Sequence, residues 1–215
     1  MKVKIIKSKK RLKSFSSRIL GNTLIVSVPY WSPQFSIDDF VNKSIEWAGK
    51  KTKDRTTINL STGSKLSLLG RDYIIADVLK KGRNKIIVKD NLITIEYTKT
   101  TQEVFIKYVK TVLKSYLTVA SKDYAEEIDE KFNKITVKKV STIWGSCSSK
   151  QNLNYNYKLA FCPMWVIDYV VAHEVCHLKH KNHSKKFWDL VKTMYPNYKQ
   201  AKKWLKENGN NLNLA

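Results

Sequence analysis

All four histidines of this 215-residue chain lie within one stretch of eleven residues, 173–183. The stretch begins with the sequence HEVCH, residues 173–177, which has the pattern HExxH. A shuffled sequence of the same composition would contain that pattern with a probability of about 0.3 %. Histidines four positions apart lie on one face only when the backbone is α-helical. The pattern therefore predicts a helix through His177 and a fold built to support it.

The HEVCH segment favours a metal site. The imidazoles of His173 and His177 can converge on one Zn²⁺ ion at about 2.0–2.1 Å. Glu174 is rotated from His173 by about 100° because an α-helix has 3.6 residues per turn. Its carboxylate is then badly placed to ligate the ion but well placed to reach a metal-bound water as a general base. The alternative is a group of solvated histidines, and the lack of histidine elsewhere in the sequence argues against it.

A catalytic zinc needs a third protein ligand, with the fourth position left for water. His180 shares a helical face with His173, but seven residues of straight helix span about 10.5 Å, too far to close a tetrahedral site. His183 can ligate if the helix ends near residues 179–182 and the chain turns back, for which Asn182 can adopt a left-handed conformation. We favour His183. Glu207 or Asp189 is the outside alternative.

The hydrophobic period of the sequence changes near Gln102. Residues 1–98 read mainly as strands, with one helix that is capped at Ser36 and runs to about Lys50. The predicted strands are Thr23–Val28, Leu66–Leu69, Tyr73–Leu79, Lys85–Val88 and Leu92–Tyr97, the last two joined by a turn at Asp90-Asn91. From Gln102 apolar residues recur every three or four positions, which predicts a long amphipathic helix with a break near Ser121. We predict an α+β fold with two lobes, 1–100 and 101–215.

The rest of the second lobe alternates strands and helices. Residues 135–143 and the sequence NLNYNY, residues 152–157, have the period of strands. Pro163 is predicted at the first position of the helix that carries HEVCH, where its missing N–H costs nothing. Ser184 can cap a further helix that ends near Pro196.

The chain is strongly basic, with 40 Lys and Arg against 18 Asp and Glu and a net charge of +22. Residues 1–37 hold eight cations and no acid, and nine lysines against one acid lie between residues 175 and 206. Such a field attracts polyanions, so nucleic acid is a possible partner of the basic termini. Only five of the 40 cations are Arg, and the charge can equally reflect a compositional drift toward Lys.

The sequence also bears on location. It has no apolar run near the ~18–20 residues that a membrane span needs, and its basic N-terminus lacks the apolar region of a signal peptide. Three cysteines without a CxxC pair make a disulfide framework improbable. We therefore expect a cytoplasmic protein with no membrane association and no disulfides.

Residues 144–188 resemble the signature of the YgjP-like metallopeptidase family, a zincin group related to WLM and SprT-type proteases. The sequence WGSCSS (144–149), the alternating asparagine strand, HExxH and NHSKKFW (182–188) follow one another in the family's order. Ile143 stands where family members often have a basic residue. Residues 1–100 resemble the family only as a strand-rich lobe with one helix.

The resemblance implies a zinc-dependent peptidase that acts on peptides or proteins, with His173, His177 and His183 as zinc ligands and Glu174 as the base. It implies a minimal zincin-like lobe with a long backing helix and an HExxH active-site helix. It also implies that NLNYNY is an edge strand that pairs with an extended substrate.

Other roles near the site rest on side-chain chemistry alone. Cys147 is expected to be a half-buried thiol and Cys176 a core residue. The candidates for stabilising an oxyanion are Tyr155, Tyr157, Tyr195 and Tyr198.

Two other functions fit the same residues. A metal-dependent hydrolase of a nucleotide or phosphate ester could use the same ion and water, although the sequence has no P-loop and no carboxylate cluster for Mg²⁺. A nucleic-acid-associated module with a structural zinc would need four protein ligands, including His180 or Cys147. The oligomeric state is open.

Overall fold

The computed structural model describes residues 2–10, 13–20, 23–53, 57–140, 143–209 and 212–214, and Arg11 of the basic N-terminus lies outside them. The chain has an α+β fold with a strand-rich N-terminal region, as the change of period predicts. It divides into two compact units, Met1–Arg55 and Thr56–Ala215. The predicted lobes do not coincide with these units, because residue 100 lies within the second one.

The first unit is a three-stranded sheet with one helix. Its elements are β1 (Lys2–Ser8), β2 (Ser16–Leu20), β3 (Thr23–Pro29) and α1 (Gln34–Lys53). The central strand β3 pairs parallel with β1 and antiparallel with β2. Alternate residues of β3, beginning at Leu24, are buried against Ile37 and Ala48 of α1. The predicted cap at Ser36 is wrong, because α1 begins at Gln34, directly after Pro33.

The second unit begins with strands, and the predictions for residues 66–97 are confirmed. These strands are β4 (Thr57–Ile58), β5 (Lys65–Leu68), β6 (Arg71–Lys80), β7 (Lys85–Lys89) and β8 (Leu92–Tyr97). Four of them form a sheet in the order β5-β6-β8-β7, in which only β6 and β8 are parallel. Asp90, with a φ of 54°, makes the tight turn between β7 and β8.

A long helix, α2 (Thr101–Glu127), follows these strands. It begins where the Thr100 hydroxyl accepts a hydrogen bond from the Glu103 amide, and it packs on β7, β8 and the later helix that carries HEVCH. The predicted break near Ser121 is wrong. Ser121 is buried, and its hydroxyl lies 3.0 Å from that of Tyr155, so its polar group is satisfied within a continuous helix.

Next comes a second, three-stranded sheet made of β9 (Lys134–Lys138), β10 (Gly145–Cys147) and β11 (Asn152–Asn156). The prediction that NLNYNY is an edge strand is wrong, because β11 is central, antiparallel to β10 and parallel to β9. Alternation shows which side chains face the core but does not show how many neighbours a strand has. The strand predicted for residues 135–143 ends early, at Lys138.

Asparagines of β11 use their amides to hold neighbouring chain in place. The Asn156 side-chain amide donates to the carbonyls of Val140 (3.0 Å) and Ile143 (2.9 Å). These bonds hold Val140 and Ile143 beside the end of β11.

Three helices complete the second unit. After a 3₁₀ turn (Tyr157–Phe161) come α3 (Met164–Lys179), α4 (Lys185–Met194) and α5 (Tyr198–Asn208), and a short strand, β12 (Asn213–Leu214), pairs with β4. The sequence reading missed α5, whose buried contacts centre on Ala201. No helix in the described residues is long and apolar enough to cross a lipid bilayer.

We predict that the buried pair of Ser121 and Tyr155 couples α2 to β11. Tyr155→Phe removes one partner and leaves the Ser121 hydroxyl buried and unpaired, which should lower the free energy of unfolding by about 1–3 kcal/mol. Ser121→Ala should cost a similar amount. The double variant should cost less than the sum, because it leaves no orphaned hydroxyl, and urea unfolding of all four proteins measures this. Strict additivity would contradict the coupling.

Candidate metal centre

Helix α3 carries the first two histidines of the site. Residues on its other faces, such as Val171, Val175 and Leu178, are buried in the core, which fixes the rotation of the helix. His173 and His177 are half-buried and lie one turn apart on the remaining face. The HExxH pattern is therefore helical, as its spacing predicts.

The chain turns back directly after α3, as a third ligand at His183 requires. The helix ends at Lys179, and the His180 amide donates to the carbonyl of Cys176. The predicted left-handed conformation of Asn182 is wrong. Asn182 is not among the described non-glycine residues with positive φ, and its side-chain oxygen instead accepts a hydrogen bond from the Ser184 amide at 3.3 Å.

The turn brings three imidazoles together. The Nε2 atom of His183 lies 3.1 Å from that of His173 and 3.2 Å from that of His177, and the candidate ligand atoms of the three residues lie within 4.8 Å of one another. Asp189 and Glu207 are exposed and belong to no such group in the described residues. Of the candidates for the third ligand, the structure places His183 with the pair.

His180 takes part through its backbone. The Nδ1 atom of His177 donates to the His180 carbonyl at 2.9 Å, which leaves the Nε2 lone pair of His177 free for a metal. The ring of His180 is not a member of the described histidine group.

Burial favours the neutral form of the two imidazoles on α3, His173 and His177. Burial, reinforced by the neighbouring imidazoles and Lys202, lowers the pKa of His173 to about 3. Burial also lowers the pKa of His177. The neutral imidazole is the form that ligates a metal, so these lowered pKa values and the convergence of three imidazole nitrogens fit a metal ion.

Aromatic residues of α4 support the cluster from one side. Phe187 is fully buried, and its ring centroid lies 4.3–5.0 Å from those of His173, His177 and His183. Trp188 stacks on His183 at 5.6 Å. The third ligand is thus held by packing as well as by the turn.

Glu174 lies on the buried side of α3. It is 5 % exposed, and its Oε2 atom has no hydrogen-bond partner in the described part of the chain. Burial raises the pKa of its carboxyl group to about 8. Gly145 of β10 makes room for this side chain, because a Cβ atom there would lie 2.5 Å from Glu174 Oε1. Strand β10 therefore lies directly against the glutamate.

A family model of YgjP-like proteins, described as a metallopeptidase domain, matches residues 13–208. The chain belongs to the YgjP-like family. It is accordingly a hydrolase of the metallopeptidase class, and that class implies a bound metal. The recognition made from residues 144–188 is confirmed.

Comparisons beyond the family model add little. A search of curated proteins gives no match. Among solved structures, the crystal structure of the metallopeptidase zymogen of Pyrococcus abyssi abylysin is similar with a TM-score of 0.40 and 14 % identity, over 46 % of this chain and 99 % of that one. A similarity of that degree carries no inference about this YgjP-like chain.

His173 and Glu174 of this YgjP-like protein line a cleft of about 460 Å³. The cleft is lined by the first residue of β10 and the two residues before it, by one face of α3 and by one face of α5. The lining residues are Ile143, Trp144, Gly145, Tyr169, Val170, His173, Glu174, Lys202, Leu205 and Lys206. The contribution of α5 could have been predicted from the apolar spacing of Tyr198, Ala201 and Leu205 after Pro196.

The tyrosines suggested for an oxyanion do not line this cleft. Tyr155 and Tyr157 are buried in the core, and the Tyr195 hydroxyl donates to the carbonyl of Trp165 at 2.6 Å. Tyr198 stacks on Trp188. The tyrosine that does line the cleft is Tyr169, which the sequence reading missed although it lies one helical turn before His173.

The cysteines stay outside the described histidine group. Cys147 is half-buried, its thiol donates to the Ser148 carbonyl at 3.7 Å, and burial raises its pKa. Cys176 is fully buried in the core, as expected.

We predict that the purified protein carries about one metal ion per chain, measured by inductively coupled plasma mass spectrometry. His173→Ala or His177→Ala should abolish binding, and His183→Ala should weaken it strongly, since each removes one nitrogen of the cluster. His180→Ala is the matched control and should keep the metal, because the backbone carbonyl remains. Full metal in His183→Ala together with loss in His180→Ala would reverse the choice of third ligand.

Proposed function

We propose that this protein is a zinc-dependent peptidase in which His173, His177 and His183 hold Zn²⁺ and Glu174 is the general base. The observation that carries the proposal is the convergence of three imidazole nitrogens beside a buried carboxylate oxygen that has no hydrogen-bond partner in the described residues. Imidazole nitrogens suit zinc, and three protein ligands leave a fourth position open, as in catalytic rather than structural zinc sites.

The bound ion would polarise the scissile carbonyl and acidify a water molecule. The protein's own part is proton transfer. Glu174 Oε2, which accepts no hydrogen bond from the described residues, takes a proton from the attacking water and later delivers it to the leaving amine. Burial beneath β10 holds the carboxylate in place and keeps bulk water from it.

We further propose that an extended peptide or protein segment binds along β10. Among the strands of the described residues β10 pairs only with β11, so its other edge can accept a strand by β-augmentation. A Cβ atom on Gly145 of this strand would lie 2.5 Å from Glu174 Oε1, and this closeness supports substrate binding beside the proposed base. The family resemblance implied that NLNYNY pairs with the substrate. We propose this role instead for β10, the strand next to it.

We predict that Glu174→Gln keeps the zinc and loses the reaction. Glutamine preserves the size of the side chain but cannot accept the proton, so peptide hydrolysis should fall by at least ~10²-fold. Metal content and turnover of a casein or fluorogenic peptide substrate are measured on the same samples, with the parent protein as the control. Unchanged hydrolysis in the variant would exclude Glu174 as the base.

A second candidate function, association with single-stranded nucleic acid, is favoured by one observation in the first unit. Tyr30, Trp31 and Phe35 are 57 %, 62 % and 75 % exposed, and the Lys9 ammonium lies 5.4 Å from the centre of the Tyr30 ring. Exposed aromatic rings among lysines can stack on bases while the ammonium groups neutralise phosphates. We propose that the surface formed by Tyr30, Trp31, Phe35 and Lys9 binds single-stranded nucleic acid together with the basic N-terminus.

We predict that binding of a poly-dT oligonucleotide depends steeply on salt, with a log–log slope of about 0.7 per phosphate neutralised. Changing Lys9, Lys10, Arg11 and Lys13 to Gln should reduce that slope. Trp31→Ala should weaken binding by about fivefold or more at an unchanged slope, because it removes stacking and not charge. Fluorescence anisotropy at two salt concentrations measures both quantities.

The matched control removes four exposed lysines of the second unit. These are Lys80, Lys81, Lys85 and Lys89. The control should leave the slope close to that of the parent. If the N-terminal variant keeps the slope and affinity of the parent, the charge of residues 1–37 reflects amino-acid composition and not nucleic-acid binding.

We also propose that the protein acts in the reducing cytoplasm. All three cysteines are free thiols, and Cys162 and Cys176 are buried. A chain that relies on no disulfide is suited to that compartment.

A further inference from the structure

Two lysines of α5 line the cleft of the metal centre, and the proposed proton transfer does not use them. Lys202 and Lys206 are four residues apart and therefore lie on one face of the helix. Apolar side chains, among them Trp144, Val170 and Leu205, also line the cleft. The cleft thus combines a buried acid on one wall with two ammonium groups on another.

Packing fixes the position of the first lysine. The Lys202 ammonium lies 4.5 Å from the centre of the Trp188 ring, and Trp188 in turn stacks on His183. One indole ring therefore contacts both this ammonium group and a candidate metal ligand. Lys202 is also close enough to help lower the pKa of His173. The cation–π contact restrains the side chain without supplying a negative partner.

Neither lysine has a carboxylate partner in the described part of the chain. The ion pairs found there are Lys43–Asp39, Arg83–Glu96 and Lys122–Glu126. An ammonium group offers donors only, so its natural complement in a substrate is an anionic acceptor. A substrate acid close to the scissile bond would meet Glu174, whereas one directed toward α5 would meet two positive charges.

We propose that Lys202 and Lys206 form a subsite that binds a carboxylate of the peptide substrate. In an extended substrate, with a rise of about 3.3 Å per residue, this carboxylate lies within about three residues of the scissile bond. The carboxylate is either an Asp or Glu side chain or the C-terminal carboxylate. This inference rests on the proposed peptidase function, because it names the substrate class of the same cleft.

The experiment uses three acetylated hexapeptides. Because the peptides are short, the carboxylate lies near whichever peptide bond binds at the metal site. One contains Glu at its fourth position and ends in an amide. The second has Gln instead of Glu, and the third is the Gln peptide with a free C-terminal carboxylate. Dissociation constants are measured by isothermal titration calorimetry on the zinc-loaded full chain in a Glu174→Gln background, which prevents turnover.

In the background protein one of the two carboxylate peptides should bind about fivefold more tightly than the neutral peptide, which is about 1 kcal/mol. Preference for the Glu peptide identifies a side-chain acid, and preference for the free terminus identifies the C-terminal carboxylate. Lys202→Gln/Lys206→Gln should abolish the preference and leave binding of the neutral peptide nearly unchanged. Higher salt should reduce it.

The matched control is Lys199→Gln/Lys203→Gln, which removes the same charge from the same helix outside the cleft lining. It should keep the preference, which separates a local subsite from the attraction of a +22 protein for any acid. Equal binding of all three peptides, no measurable binding, or a preference that survives in the cleft variant would overturn the subsite. Binding without hydrolysis by the parent protein would instead overturn the peptidase function.

Discussion

The packing of Phe187 against three imidazole rings is the interaction on which the metal centre depends. Two of the rings come from one helix and are placed by its period alone, but His183 comes from the following turn and has no helix to orient it. Because Phe187 is fully buried and contacts all three rings, the core that fixes α4 also fixes His183. The geometry of the site is thus an extension of the hydrophobic core.

Helix α2 supports this arrangement through polar contacts along its length. The Tyr116 hydroxyl donates to the carboxylate of Asp168 in the first half of α3. Near the other end, the Lys179 ammonium donates to the carbonyl of Ile128, just beyond α2, at 3.4 Å. Burial raises the pKa of Asp168, so this carboxyl group depends on its partner. Apolar packing brings α2 and α3 together, and these contacts resist their sliding along each other.

The features that local periodicity encodes could be predicted from the sequence, including the strands of residues 65–97, the helical HExxH segment and the return of the chain at His183. The errors concern non-local partners. The centrality of β11 depends on β10, which is three residues long and has no period to detect. The break expected at Ser121 ignored a hydroxyl partner 34 positions away.

Gly145 shows how a residue that ligates nothing can still constrain the chemistry. The nearest atoms to a side chain at this position all belong to Glu174 and none to a histidine. A larger residue here would displace the Glu174 side chain and leave the ring nitrogens alone, so under the proposed function hydrolysis and ion binding have separate structural requirements.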